Sequence, residues 1–410
     1  MSAPIGGRAT GPLEAADQPH GVGLRGGTGD SPSRRLLVVS HPAVVNVNQE
    51  VYRELVRRGW HLTLVVPDRW RHAYADSVAP RALEGLEDAL RPTRVLLPGR
   101  PQRHLYLTRP GALARRLRPD VAFIEAEPFS LAAAQWRGPL KRLQIPFGVQ
   151  AYENIDRDLA LPVRWLRTRV LRDAAFVAAR SETAGRLARE WGARGEVALA
   201  PPAVPDWPGL PPESSTQRPF TVGFAGRLVE SKGISDLLEA VRRLPEPVAL
   251  LLIGDGEMRA ALEDQPIPGS RVRVQSDLTH EQMPAGYRQL DVLVLPSRTT
   301  PTWKEQFGRV IVEALWCGVP VVGSDSGEIP WLIELTGGGL TFPEGDRDAL
   351  AERLRSLREQ PELRARLAHA GRAAVERLFS VPAATDQLER LLGAAVRPAP
   401  PARAGGRQGA

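Results

Sequence analysis

Short apolar runs, separated by stretches of helical period, recur along most of this chain. LLVVS (36–40), WHLTLVVP (60–67), RVLLP (94–98), DVAFIEA (120–126), IPFGVQ (145–150) and AAFVAA (174–179) each predict a strand, because a short, nearly continuous apolar run suits a strand buried on both faces. Between them, 44–58 reads as loop then amphipathic helix ending at Gly59. Residues 131–136, 164–172 and 182–191 also read as helices, the last stopped by Gly192. The alternation then restarts. Residues 219–226, 248–254, 271–274, 291–296 and 319–322 predict strands, and 234–243, 346–357, 361–378 and 380–396 predict helices. Strands alternating with helices imply parallel sheets covered on both faces, an α/β class.

The break between the two series is compositional. Residues 201–219 hold seven prolines and read as a linker. A chain of 410 residues is also too long for one core. The expected layout is a tail at 1–33, a first Rossmann-like domain at 34–200, the linker at 201–219, a second Rossmann-like domain at 220–379, a last helix at 380–396 and a tail at 397–410. No Gly-x-Gly-x-x-Gly loop follows the first strand, so dinucleotide binding is not expected there.

The densest chemistry lies in PSRTTPTWKEQFGRVIVEALWCGVPVVGSDSGEIP (296–330). A buried strand ends in a polar loop bearing Glu305, Phe307 and Gly308. A helix bearing Glu313 follows, and then another short strand. Such a loop lies at the carboxyl end of a strand, where open α/β sheets bind ligands. The start of the next helix directs N–H groups at it, which favours phosphate. Eight residues of helix separate two glutamates by about 12 Å. That is wider than the roughly 5–9.5 Å of a glycosidase carboxyl pair. It suits two ends of one long, hydroxyl-bearing ligand. Gly226-Arg227 ends the first strand of the second series, and Lys232-Gly233 opens the next helix. Two cations and a helix start at one strand end form a natural seat for a diphosphate. Only three of the 54 basic residues are lysine (Lys141, Lys232, Lys304), so lysine at this position implies a need for a compact point charge. Gly254-Asp255-Gly256 follows another buried strand and reads equally well as a tight strand-to-helix turn or as part of the lining on the nucleotide side.

Glu305, Phe307, Gly308, Glu313 and the following Cys317-Gly318-Val319-Pro320 resemble the E-x7-E motif of the retaining glycosyltransferases of family 4, and Gly226-Arg227 with Lys232-Gly233 resembles their diphosphate clamp. The resemblance implies the GT-B fold, two Rossmann-like domains facing across a cleft with the terminal helix returning to the first domain. It implies that Glu305 contacts the donor sugar, that Glu313 holds the nucleotide ribose, and that Arg227 and Lys232 bind the donor diphosphate, without a metal or other cofactor. The implied activity is transfer of a sugar from a UDP- or GDP-linked donor to an acceptor hydroxyl, on a glycan or lipid-linked glycan, with retention. On the acceptor side the family's histidine position falls near Gln150 or Glu153, and its Gly-rich loop is replaced by HPAVVNVNQ. Glu127, Gln150, Glu153 and Asn154, at strand ends facing the cleft, are the candidates there, with Glu153 as catalytic group. A nucleotide-sugar epimerase of the same fold and a non-catalytic nucleotide-sugar-binding regulator are the alternatives. Asp156-Arg157-Asp158 spells the D-x-D tripeptide of metal-dependent transferases but reads as the charged start of a helix, so no metal is assigned.

Composition narrows the setting. The 42% apolar and 25% charged content is that of a soluble globular chain. Cys317 is the only cysteine, so no disulfide framework exists and a reducing, cytoplasmic compartment is expected. There is no apolar run of membrane-spanning length, and 1–33 contains no secretory signal pattern. Residues 34–196 hold 28 basic against 17 acidic residues, whereas the remainder is close to neutral. A basic first half implies an anionic partner, here a peripheral contact with the inner membrane surface. Nucleic acid is not expected, because no recognition motif or aromatic-interleaved basic stripe is present.

Overall fold

The computed structural model describes residues 34–396 apart from 73–74, 208–217, 264–266, 268 and 277. Both expected tails and the middle of the expected linker lie outside the described residues. Two parallel sheets form the frame. The first contains β1 (Arg35–Ser40), β2 (His61–Pro67), β3 (Leu90–Thr93), β4 (Val121–Glu125), β5 (Phe147–Ala151), β6 (Phe176–Ala179) and β7 (Glu196–Leu199), in the order β7-β6-β5-β4-β1-β2-β3. The second contains β8 (Thr221–Ala225), β9 (Ala249–Ile253), β10 (Arg271–Gln275), β11 (Val292–Leu295), β12 (Val321–Ser324) and β13 (Gly339–Phe342), in the order β10-β9-β8-β11-β12-β13.

The central strands of each sheet are buried on both faces, which is why they read as nearly continuous apolar runs. In β1, Leu36 and Val38 pack into one core cluster while Leu37 and Val39 pack into the other, as a period of two requires. The second sheet is enclosed by its own core, which includes Val222, Phe224, Leu293 and Ile311. Strand order reverses between β1 and β4 in the first sheet and between β8 and β11 in the second. These switch points are where open α/β sheets leave a crevice beyond their carboxyl ends.

The last helix, Val381–Ala395, returns to the first sheet. Leu388, Leu391 and Leu392 enter its core, Arg58 donates to Asp386 at 2.5 Å and to Glu389 at 3.0 Å, and the Trp60 indole donates to Glu389 at 2.9 Å.

Three local expectations are corrected. The strand expected at 94–98 is displaced. Leu90–Thr93 joins the sheet, and Val95–Leu96 pairs antiparallel with Leu105–Tyr106 in a separate ribbon. Pro92 does not block the edge strand, because an edge leaves one row of N–H groups without a ladder partner. Asp156 to Asp158 do not start a helix. They lie in a loop, the helix begins at Leu161, and Asp156 accepts the Trp191 indole N–H at 2.8 Å. The first part of the expected linker is packed, with Val204 and Trp207 buried in the second core and the Val204 N–H donating to the Phe379 carbonyl at 2.7 Å. Strands β7 and β13 were not legible as apolar runs. Neither has more than one fully buried residue.

Candidate active site

The second sheet builds one wall. After β8 the chain turns at Gly226 and presents Arg227, and a short 3-10 turn (Glu230–Lys232) then carries Lys232 back over the end of β11. Gly233 makes that approach possible. Its φ is +69°, and a Cβ there would lie 1.8 Å from the Pro296 carbonyl oxygen. After β11, the loop from Pro296 brings in Trp303 and Glu305. Gly308, in the left-handed region, then starts the helix Arg309–Trp316. The result is a cavity of about 290 Å³ lined by Gly226, Arg227, Lys232, Trp303, Glu305, Phe307 and Gly308. Six of the sequence-derived candidates, Gly226, Arg227, Lys232, Glu305, Phe307 and Gly308, therefore meet at one strand-end crevice.

Glu305 is the hub of this wall. Lys232 Nζ lies 2.6 Å from Glu305 Oε2, the Ser297 hydroxyl donates to the same oxygen at 2.9 Å, and both charged side chains are almost buried. The Lys232 ammonium also sits 4.6 Å from the centre of the Trp303 ring, a cation–π contact. The Glu305 backbone carbonyl accepts from Asn154 Nδ2 at 2.8 Å and from the Glu328 N–H at 3.1 Å. Asn154, selected as an acceptor-side candidate, thus ties the first sheet to the loop of the second.

Glu313 is buried one helical turn further in. The Tyr287 hydroxyl donates to it at 2.7 Å and Arg309 Nε approaches it at 3.1 Å. Burial raises its pKa, which Arg309 opposes. Phe307 is itself core, edge-on to Phe379. Asp255 stands apart on an exposed turn and accepts the Gly256 N–H at 2.8 Å.

The first sheet supplies the opposite wall, a cavity of about 430 Å³ whose lining includes His41, Glu125, Glu127, Gln150, Glu153 and Arg180. Three of the four acceptor-side candidates line it, and Asn154 instead bonds the Glu305 carbonyl. Glu125, at the end of β4, accepts from Ser40 at 2.6 Å, from Tyr52 at 2.5 Å and from Arg180 at 2.8 Å. With its amide oxygen facing the guanidinium, Gln150 also accepts from Arg180. Glu153 is held by Arg157 at 2.8 Å. Among the described residues Glu127 has no such cation. The Tyr152 N–H donates to its Oε1 at 2.7 Å, while its buried Oε2 has no hydrogen-bond partner among the described residues. Burial, with the Glu153 charge beside it, pushes the Glu127 carboxyl up to about 8. Burial, reinforced by His104 with ring centres 5.1 Å apart, pushes the His41 imidazole down to about 3.

Tyr152, Gln306 and Arg309 line both cavities, so the two spaces meet there. Sequence reasoning passed over these three, and also His41, Glu125 and Arg180. Arg309 was the most accessible, since it stands next to Gly308 and four residues before Glu313 on one helix face.

A family model described as Glycosyl transferases group 1 matches residues 211–374, and one described as Glycosyl transferase 4-like domain matches residues 43–203. The chain belongs to the group 1 glycosyltransferases. Among curated members, the lipopolysaccharide core biosynthesis glycosyltransferase LpsE of Rhizobium meliloti is 36% identical over 173 residues, 41% of this chain and 48% of that protein. The aligned region spans about half the length of the curated relatives it matches. Sucrose-phosphate synthase from Thermosynechococcus elongatus superimposes with a TM-score of 0.62 at 18% identity, over 87% of this chain and 98% of that one. HepE of Anabaena, solved in complex with UDP and glucose, gives 0.62 at 18% identity over 87% and 99%. This group 1 glycosyltransferase has the GT-B fold, with its two candidate walls at the facing switch points of the two sheets.

Proposed function

We propose that this protein transfers a sugar from a UDP- or GDP-linked donor to an acceptor hydroxyl on a glycan or lipid-linked glycan, with retention of anomeric configuration and without a metal. The carrying observation is the convergence of Arg227, Lys232 and the start of the helix Arg309–Trp316 on one cavity that also holds Glu305. The two cations and the helix N–H groups would neutralise the nucleoside diphosphate as it leaves. Glu305 would grip hydroxyls of the donor sugar and Glu313 those of the ribose. The second cavity would hold the acceptor, with Glu127, Gln150, Glu153 and Asn154 at its edge. Closing the two walls on each other would exclude water and suppress donor hydrolysis. Support comes from HepE, a protein of the same fold solved in complex with UDP and with UDP-glucose.

The test is release of UDP or GDP from a panel of nucleotide sugars with candidate acceptors, followed by the anomeric configuration of the product. Acceptor-dependent release, unaffected by EDTA, is expected. Nucleotide binding with no release on any acceptor overturns the transfer reading in favour of a binding regulator, and an altered free nucleotide sugar would indicate an epimerase.

The acceptor reading includes a peripheral contact with anionic membrane. Among the described residues no helix is long and apolar enough to cross a membrane. The helix Leu161–Asp173 exposes Leu161 at 76% and Trp165 at 57%, with Arg169 stacked 3.8 Å over the Trp165 ring. An apolar tip set among arginines suits an anionic headgroup layer.

A further inference from the structure

Arg309 is one of the residues through which the two walls touch, and it lies at the junction of the cavities. It opens the helix Arg309–Trp316 immediately after the left-handed Gly308. Its guanidinium serves two groups in different directions. Nε lies 3.1 Å from Glu313 Oε1 on its own helix, and Nη1 donates to Asn48 Oδ1 of the first sheet's side at 3.2 Å. Asn48 belongs to the 3-10 turn Asn46–Gln49 after β1, and its own Nδ2 donates to the Pro42 carbonyl at 2.8 Å. Pro42 and His41 line the acceptor-side cavity. A continuous set of contacts therefore runs from Glu313 through Arg309 and Asn48 to the loop that borders the second cavity.

We propose that Arg309 is a positioning residue that couples nucleotide occupancy beside Glu313 to the order of the first domain's loop at Pro42–Gln49. The inference rests on the donor-site reading above. Glu313 is buried, and Arg309 is the opposing charge beside it. A ribose diol contacting Glu313 brings no charge of its own, so the guanidinium stays as counter-ion while the diol narrows its range of positions. A guanidinium held against Glu313 as its counter-ion also has Nη1 constrained, because its fork is planar and rigid. Order imposed on the Glu313 side is thereby passed to Asn48. A lysine at 309 would keep the charge beside Glu313 and lose the second arm.

The experiment is hydrogen–deuterium exchange of the full chain with and without saturating UDP or GDP, with nucleotide affinity measured by calorimetry on the same samples. In the wild type, nucleotide should slow exchange in peptides covering 42–49. Arg309→Lys, compared at saturating nucleotide, should lose that protection. Asn48→Ala should do the same, and the double variant should be no worse than either single one. Arg309→Met, which removes the charge too, should weaken nucleotide binding as well. Protection at 42–49 that persists in Arg309→Lys, or is absent from a wild type that binds nucleotide, overturns the coupling. A wild type that binds neither UDP nor GDP overturns the donor-site reading instead.

Discussion

Removing the Lys232 ammonium while keeping its aliphatic stem, as in Lys232→Met, perturbs the site in two separable ways. The ammonium lies 2.6 Å from Glu305 Oε2, in a pair whose side chains are 13% and 10% exposed. Without it, Glu305 retains the Ser297 hydroxyl at 2.9 Å but loses its cation. Breaking one partner of a largely buried pair costs about 3 kcal/mol, at the low end of the range for fully buried ones. Replacing Glu305 with Gln as well removes the stranded charge, so the double variant should unfold at higher denaturant than Lys232→Met alone. Catalysis should respond differently. A hydrogen bond to a charged group contributes roughly 1.5–3 kcal/mol, so loss of the ammonium from a departing diphosphate should lower kcat/KM by roughly ten- to 150-fold. Glu305→Gln cannot restore that loss. The assays are urea unfolding and coupled detection of released UDP or GDP. Turnover by Lys232→Met within threefold of wild type, or a double variant whose instability equals the sum of the singles, would refute the reasoning.

Other consequences are independent of this pair. The Glu127 carboxyl titrates near 8 in the folded chain against 4.5 for its ordinary value, so between those pH values the folded state binds the extra proton and stability falls as pH rises, by up to about 1.4 kcal/mol per unit. Glu127→Gln should flatten the slope of unfolding free energy between pH 5 and 8, and an unchanged slope would count against the burial argument. Gly233→Ala should cost more than about 2 kcal/mol, because left-handed strain adds to the 1.8 Å approach of Pro296, whereas Gly59→Ala, with φ +91° and nothing within 4 Å of its Cβ, should cost only the strain, about 1 kcal/mol. Equal losses in urea unfolding would remove the close approach from the account. Trp165→Ser should reduce co-sedimentation with vesicles containing anionic lipid and leave binding to neutral vesicles unchanged. Binding that ignores lipid charge would exclude the membrane contact.

Much of the fold was legible because the central strands of both sheets are buried on both faces. Val38, Val65, Ile124, Val294 and their neighbours therefore form nearly continuous apolar runs, interrupted within β2 only by Thr63. Legibility failed at the edges. β7 has no fully buried side chain and β13 has one, Phe342, while β3 contains a proline that an edge strand tolerates. In the site, Arg227, Lys232 and Glu305 were readable because their chemistry is local to two strand ends. Arg309 and Asn48 were not, because their meaning depends on the first wall meeting the second across more than 250 residues of chain. Asp156 to Asp158 show the converse: a charged tripeptide before a helix pattern looks like a helix start, yet Ala160 is the residue that flanks the helix, and Asp156 instead anchors Trp191.

The central claim is that a diphosphate is held where Arg227, Lys232 and the start of the helix Arg309–Trp316 converge. Calorimetric titration of the full chain with uridine, UMP and UDP, and with the guanosine series, tests it most directly. Affinity for the preferred base should rise by at least tenfold from monophosphate to diphosphate, and this gain should vanish in Arg227→Gln/Lys232→Met. Equal affinity for nucleoside and diphosphate, or a gain that survives loss of both cations, would contradict it.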